Sequence, residues 1–100
     1  MRRAVLLAVA LASTACVSKL AEGRVRGALL DAGLSQSNAA CMANRMTDKL
    51  TIFQLRKLQE LKGEKRSLTD YVAAVRRVND AEALAVTASS AALCSTGLAR

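Results

Sequence analysis

Residues 67–94 read SLTDYVAAVRRVNDAEALAVTASSAALC, and this stretch decides the fold. Ser67-x-x-Asp70 has the form of a helix-opening box, with a short polar cap and an acid three residues on. Behind it Leu68, Tyr71, Val72, Val75 and Val78 recur at helical spacing. Asn79 and Asp80 are both residues that open helices. They are followed by Glu82, placed where the positive end of a helix dipole favours a carboxylate. An alanine-rich segment over 81–96 then carries Leu84, Val86 and Leu93, with Cys94 near its end and Gly97 beyond. Its small residues allow a neighbouring helix to approach closely. Two successive helices joined by a break of a few residues are the core of an all-α array, a reading that the absence of proline and the scarcity of β-branched runs also favour.

The same logic extends upstream. Thr51-x-x-Gln54 fits a second capping box and leads into Leu55, Leu58 and Leu61, with Gly63 as the stop. Ser35 or Ser37 caps an earlier helix with a stripe of Ala39, Met42, Ala43, Met46 and Leu50, and Cys41 lies beside that stripe. Val17 to Ala32 repeats the pattern with Ala21, Val25, Ala28, Leu29 and Ala32, ending at Gly33. Gly23 and Gly27 weaken the first half of that helix. The expected fold is therefore a small antiparallel array of four to five short helices with short connections.

The amino terminus has a different character. Met1-Arg2-Arg3 is a positive head, residues 4–12 are an unbroken apolar run, and Ser13-Thr14-Ala15 is small and uncharged. That order describes a secretory signal. The apolar run is too short to span a bilayer, which needs about 17–25 residues. Residues 1–15 are thus expected to be a signal peptide and residues 16–100 a single helical domain. Two cleavage routes are open. A general signal peptidase would cut after Ala15 or Ala12. Alternatively, Thr14-Ala15-Cys16 resembles the end of the lipobox of bacterial lipoproteins, in which the cysteine is lipidated; Ser13 departs from that pattern, where an aliphatic residue is usual.

Cysteine arithmetic bears on the choice. The chain has three cysteines, Cys16, Cys41 and Cys94. An odd count in an exported protein needs an explanation. Lipid on Cys16 leaves Cys41 and Cys94 as a pair for one disulfide in an oxidising compartment. Such a bond would close a loop worth about 4 kcal/mol in the chain-entropy account.

Composition narrows function by exclusion. The 100 residues contain no histidine and no proline, and aromatic residues are 2% of the chain, Phe53 and Tyr71 alone. Without histidine, Ser-His-Asp and Cys-His catalysis and the commonest metal ligand are gone. No phosphate-binding glycine loop or C-x-x-C motif occurs. No catalytic residue, metal or cofactor is expected, and the scattered carboxylates read as caps and solvated faces.

Net charge is +7, or +5 counted from Cys16. Arg45 to Arg77 holds nine Lys/Arg against four Asp/Glu. The one candidate surface is a basic face of Arg56, Lys57, Lys62, Lys65, Arg66, Arg76 and Arg77, which would converge if the third and fourth helices formed a hairpin. It would suit an anionic envelope component or a protein partner. Nucleic acid is a poor partner, because no aromatic residues interleave for stacking and export removes the substrate.

From Cys16 on, the chain resembles small exported helical proteins of Gram-negative bacteria, the hypothetical lipoproteins. The residues that carry the likeness are Ala40-Cys41-Met42 through Arg45-Met46, LTIFQLRKL at 50–58, and Ala91-Ala92-Leu93-Cys94. The resemblance implies a non-enzymatic envelope protein, periplasmic and held to the membrane through lipid on Cys16. A soluble periplasmic protein of chaperone or inhibitor type is the alternative, similar in architecture to the periplasmic acid-stress chaperones.

Overall fold

The chain turns back on itself wherever a capping residue stands beside a helix stop. The computed structural model describes residues 19–61 and 65–97. Among them are five helices and no strand: α1 over residues 19–31, α2 Gln36–Lys49, α3 Ile52–Gln59, α4 Leu68–Arg77 and α5 Ala81–Ser95. The expected stop Gly63 lies outside the described residues, as do Lys62 and all positions up to 18.

Each helix end has a local cause. After α1, Gly33 takes φ +95°. Its N–H donates to Leu30 O at 2.9 Å, and the Leu34 N–H donates to Leu29 O at 3.1 Å. This pair of bonds is the Schellman arrangement, with Leu34 tucked against the core. Ser35, rather than Ser37, caps α2, its Oγ accepting the Asn38 N–H. Thr51 and Gln54 make the full reciprocal box, at 3.2 and 2.9 Å. Ser67 makes only half of one. Its Oγ accepts from Asp70 N, but the Asp70 carboxylate accepts from Arg66 N, not from Ser67. The φ of Ser67 is −148° against −72° at Thr51, which swings the preceding peptide so that a different N–H faces the helix. Asp80 caps α5 through Ala83 N. Asn79 does another job: with φ 63° it ends α4 in the left-handed region that asparagine tolerates.

Packing follows the spacing. Ala21, Val25, Leu29 and Ala32 bury one side of α1, and Ala39, Met42, Ala43, Met46 and Leu50 bury one side of α2. Leu55 and Leu58 come from α3, and Tyr71, Ala74 and Val75 from α4. Gly23 and Gly27 sit inside α1 without breaking it. The cost of roughly 1 kcal/mol for each is offset by burial of Val25 and Leu29 on the same helix. The core forms one cluster running from Ala21 to Cys94.

Helix α5 is the central partner, packed against both α2 and α4. Its buried stripe is Ala83, Thr87, Ser90, Ala91 and Cys94, while Leu84, Val86 and Leu93 are only half-buried. Small residues at the contact let backbones come close. They also let the sulfurs of Cys41 and Cys94 meet in a disulfide, 2.06 Å apart, with the Cα atoms at 5.8 Å.

Burying hydroxyls has a cost where no partner is met. Thr87 Oγ1 donates to Ala83 O at 2.7 Å. Ser90 Oγ is buried with no hydrogen-bond partner among the described residues. Ser90→Ala is therefore expected to raise the unfolding free energy by about 1 kcal/mol, because an unsatisfied buried hydroxyl costs about 1–3 kcal/mol and the volume lost is small. Urea unfolding of the two proteins checks this; a destabilised Ser90→Ala protein would mean that the hydroxyl has a partner.

Candidate functional site

The basic residues are carried by two short helices and the segment between them. Helix α3 exposes Arg56 and Lys57, and α4 exposes Arg76 and Arg77 at its end. All four stand in last turns, where the helix dipole favours cations. Lys65 is half-buried and its Nζ donates to Leu61 O at 2.8 Å; Arg66 is exposed. Lys62 lies outside the described residues.

These residues do not share one groove. Helix α3 meets α2 and α4 packs on α5, so the α3–α4 hairpin on which convergence of the charges depended is not among the main helix contacts. Lys57 and Arg77 do face one groove of about 470 Å³, but Glu60 lines it with them. Arg76 turns to a different groove between α4 and α5. Arg56 faces α1. Lys65 borders a cleft between α1, α3 and the entry to α4.

That cleft, about 400 Å³, has an apolar floor that includes Val25, Leu58 and Tyr71, with Arg24 and Asp31 also lining it. Arg24 Nη1 donates to Gln59 Oε1 at 3.2 Å across it. Tyr71 is 1% exposed, and burial pushes its hydroxyl up to about 12. Folding thus favours the neutral phenol. Its stabilising contribution is whole below about pH 10, the unfolded value, and is lost as pH rises through about 12. Tyr71 is the only tyrosine. Its ultraviolet absorbance should therefore titrate with a midpoint near 12 in the folded protein and near 10 in urea, and a folded midpoint near 10 would contradict the burial.

Asp80 joins α3 to α5. Its carboxylate accepts from Ala83 N at 3.0 Å and from Gln54 Nε2 at 3.3 and 3.5 Å. The Ala83 N–H, then the Gln54 amide, hold its carboxyl below the usual range, and the Lys57 charge adds to this. A carboxylate fixed in this way is structural.

Adjoining the cleft across Arg24 and Gln59 lies a smaller groove of about 230 Å³, lined by Leu20, Ala21, Arg24, Ile52, Arg56 and Gln59. The sequence reading missed the exposure of Leu20, which lines this groove, and of Phe53, which follows its lining residue Ile52. Leu20 is 66% exposed and Phe53 71%. The signal was present in the spacing: Leu55 and Leu58 define the buried stripe of α3, and Phe53 falls two residues off it, on the opposite side of the helix.

Among the described residues, no group of three His, Cys, Asp or Glu side chains stands close enough to hold a metal ion. None of the described helices is long and apolar enough to cross a membrane. No protein family, curated protein or solved structure matches the chain.

Proposed function

We propose that the protein is a non-enzymatic component of the bacterial cell envelope: a helical binding or scaffolding module, stapled by its disulfide and tethered by lipid on Cys16. Cysteine parity carries the reading. Cys41 and Cys94 are bonded to each other. The third cysteine is Cys16, directly behind a positive head, an apolar run and a small-residue gap. Lipid on its sulfur accounts for both its position and the odd count. A single acyl chain anchors only marginally, whereas the several chains of a lipoprotein hold firmly. The absence of histidine and the structural employment of Asp80 and the cysteines support a binding role over a catalytic one.

The test is processing in cells. Labelled palmitate should enter the wild-type chain and not Cys16→Ser. Globomycin should make an unprocessed precursor accumulate, and Cys16→Ser should leave the membrane fraction. Palmitate that fails to enter, with normal processing under globomycin, would overturn the anchor and favour the soluble periplasmic alternative of chaperone or inhibitor type.

A further inference from the structure

We propose that Leu20 and Phe53, set on either side of Arg56, form the surface by which the domain lies on an anionic phospholipid bilayer. The proposal deepens the reading of a lipid-anchored module by naming which face meets the membrane. Three observations carry it.

The first is exposure. Leu20 and Phe53 are by far the most exposed large apolar side chains described, and Phe53 is the only phenylalanine in the chain. The core clusters around other residues, so neither one serves the fold.

The second is placement. Leu20 lines the α1–α3 groove with Ile52 and Arg56. Phe53 follows Ile52 directly and lies one turn before Arg56 and Lys57 on α3. Leu20 therefore lies in the groove with the cations Arg24 and Arg56, and Phe53 lies on the outer face of α3 beside Arg56 and Lys57, with Glu60 two turns further along that face. Among the described residues no carboxylate lines that groove, in contrast to the one shared by Lys57 and Arg77. Apolar residues among exposed cations are the composition of an interfacial contact, with rings at headgroup level and cations on the phosphates.

The third is reach. Leu20 is four residues from Cys16, so the chain allows at most about 14 Å between the anchor and this patch. A domain held at Cys16 keeps the α1–α3 groove within contact distance of the lipid surface.

The test uses residues 16–100 with Cys16→Ser, so that no lipid on the protein masks the contact. The chain has no tryptophan, so Phe53→Trp is a clean reporter. With vesicles of phosphatidylethanolamine and phosphatidylglycerol at low salt, the indole emission of this variant should shift to the blue; with phosphatidylcholine vesicles the shift should be weak. Arg24→Gln with Arg56→Gln should lower partitioning by about 25-fold, taking about fivefold for each basic residue near an anionic surface. Added salt should weaken binding in the same direction. Leu20→Ser with Phe53→Ser, checked for unchanged helicity by circular dichroism, should also lose binding.

An unshifted emission of Phe53→Trp with anionic vesicles would overturn the proposal, and so would binding that survives both double substitutions. A blue shift without vesicles would show that the chain itself covers the patch, and a shift produced by envelope proteins alone would assign the patch to a protein partner; either result replaces the lipid contact. Because these vesicle measurements need no acyl group on Cys16, their failure is separate from failure of palmitate to enter the chain.

Discussion

Replacing both bridging cysteines with alanine is expected to lower the unfolding free energy by about 4 kcal/mol. Cys41 and Cys94 are 53 residues apart in sequence, so the bond encloses all of α3 and α4. In the chain-entropy account the benefit grows with the logarithm of the loop, and a loop of this length gives about 4 kcal/mol. The domain is small, its core holds one aromatic residue, and such domains have total stabilities of about 5–15 kcal/mol. The bond also joins α2 to α5, and the buried stripe of α5 is made of small residues, so that helix brings no large side chain of its own to hold the contact without it. Urea unfolding of the oxidised wild type, the dithiothreitol-reduced wild type and Cys41→Ala/Cys94→Ala checks this. The two bridge-free forms should unfold at similar, much lower urea, with a larger m-value for a denatured state freed from its loop. A loss under about 1 kcal/mol would mean that the helices hold without the staple.

Leu29→Ala should cost about 3 kcal/mol. Leu29 is fully buried in α1, and truncating a buried leucine loses its transfer free energy and leaves a cavity, together about 2–5 kcal/mol. The substitution asks whether α1 belongs to the core or merely lies against it. Leu29 O also accepts the Leu34 N–H in the turn that hands the chain to α2, so loosening here should propagate into the next helix. Thermal and urea unfolding measure the loss. A loss below about 1 kcal/mol would place α1 outside the cooperative unit, and would also remove the α1–α3 groove from any fixed surface.

Much of this fold was legible because its boundaries are written in local chemistry. Gly33, Thr51, Gln54, Ser67 and Asp80 act within a turn of themselves, and a single sequence shows such effects. The stripe Ala39, Met42, Ala43, Met46 and Leu50 is buried throughout, as its spacing implied. Helix α5 was harder to read. Its large residues suggest one face, yet it buries Ala83, Thr87, Ser90, Ala91 and Cys94, because the partner helices and the disulfide select small residues over apolar ones. Asn79 and Asp80 were interchangeable as caps in sequence. Only the left-handed φ of Asn79 separates the end of α4 from the start of α5.

The candidate site was legible in kind but not in place. The basic residues are visible in composition. Their grouping depends on which helices touch, a long-range property that spacing within one helix does not carry. Arg56 lines a groove with α1, Arg76 one with α5, and Lys57 and Arg77 a third between α3 and α4. The exposure of Phe53 was open to inference from its offset against Leu55 and Leu58. Leu20 comes from another helix, and nothing local pairs the two.

The most direct measurement is the intact mass of the protein extracted from bacterial envelopes, followed by fragmentation of its amino terminus. The chain should begin at Cys16 and carry a diacylglyceryl group on that sulfur, with Cys41 and Cys94 recovered as one disulfide-linked peptide pair. A chain beginning at Ser13, or one beginning at Cys16 with a bare thiol, would contradict the lipid-anchored account.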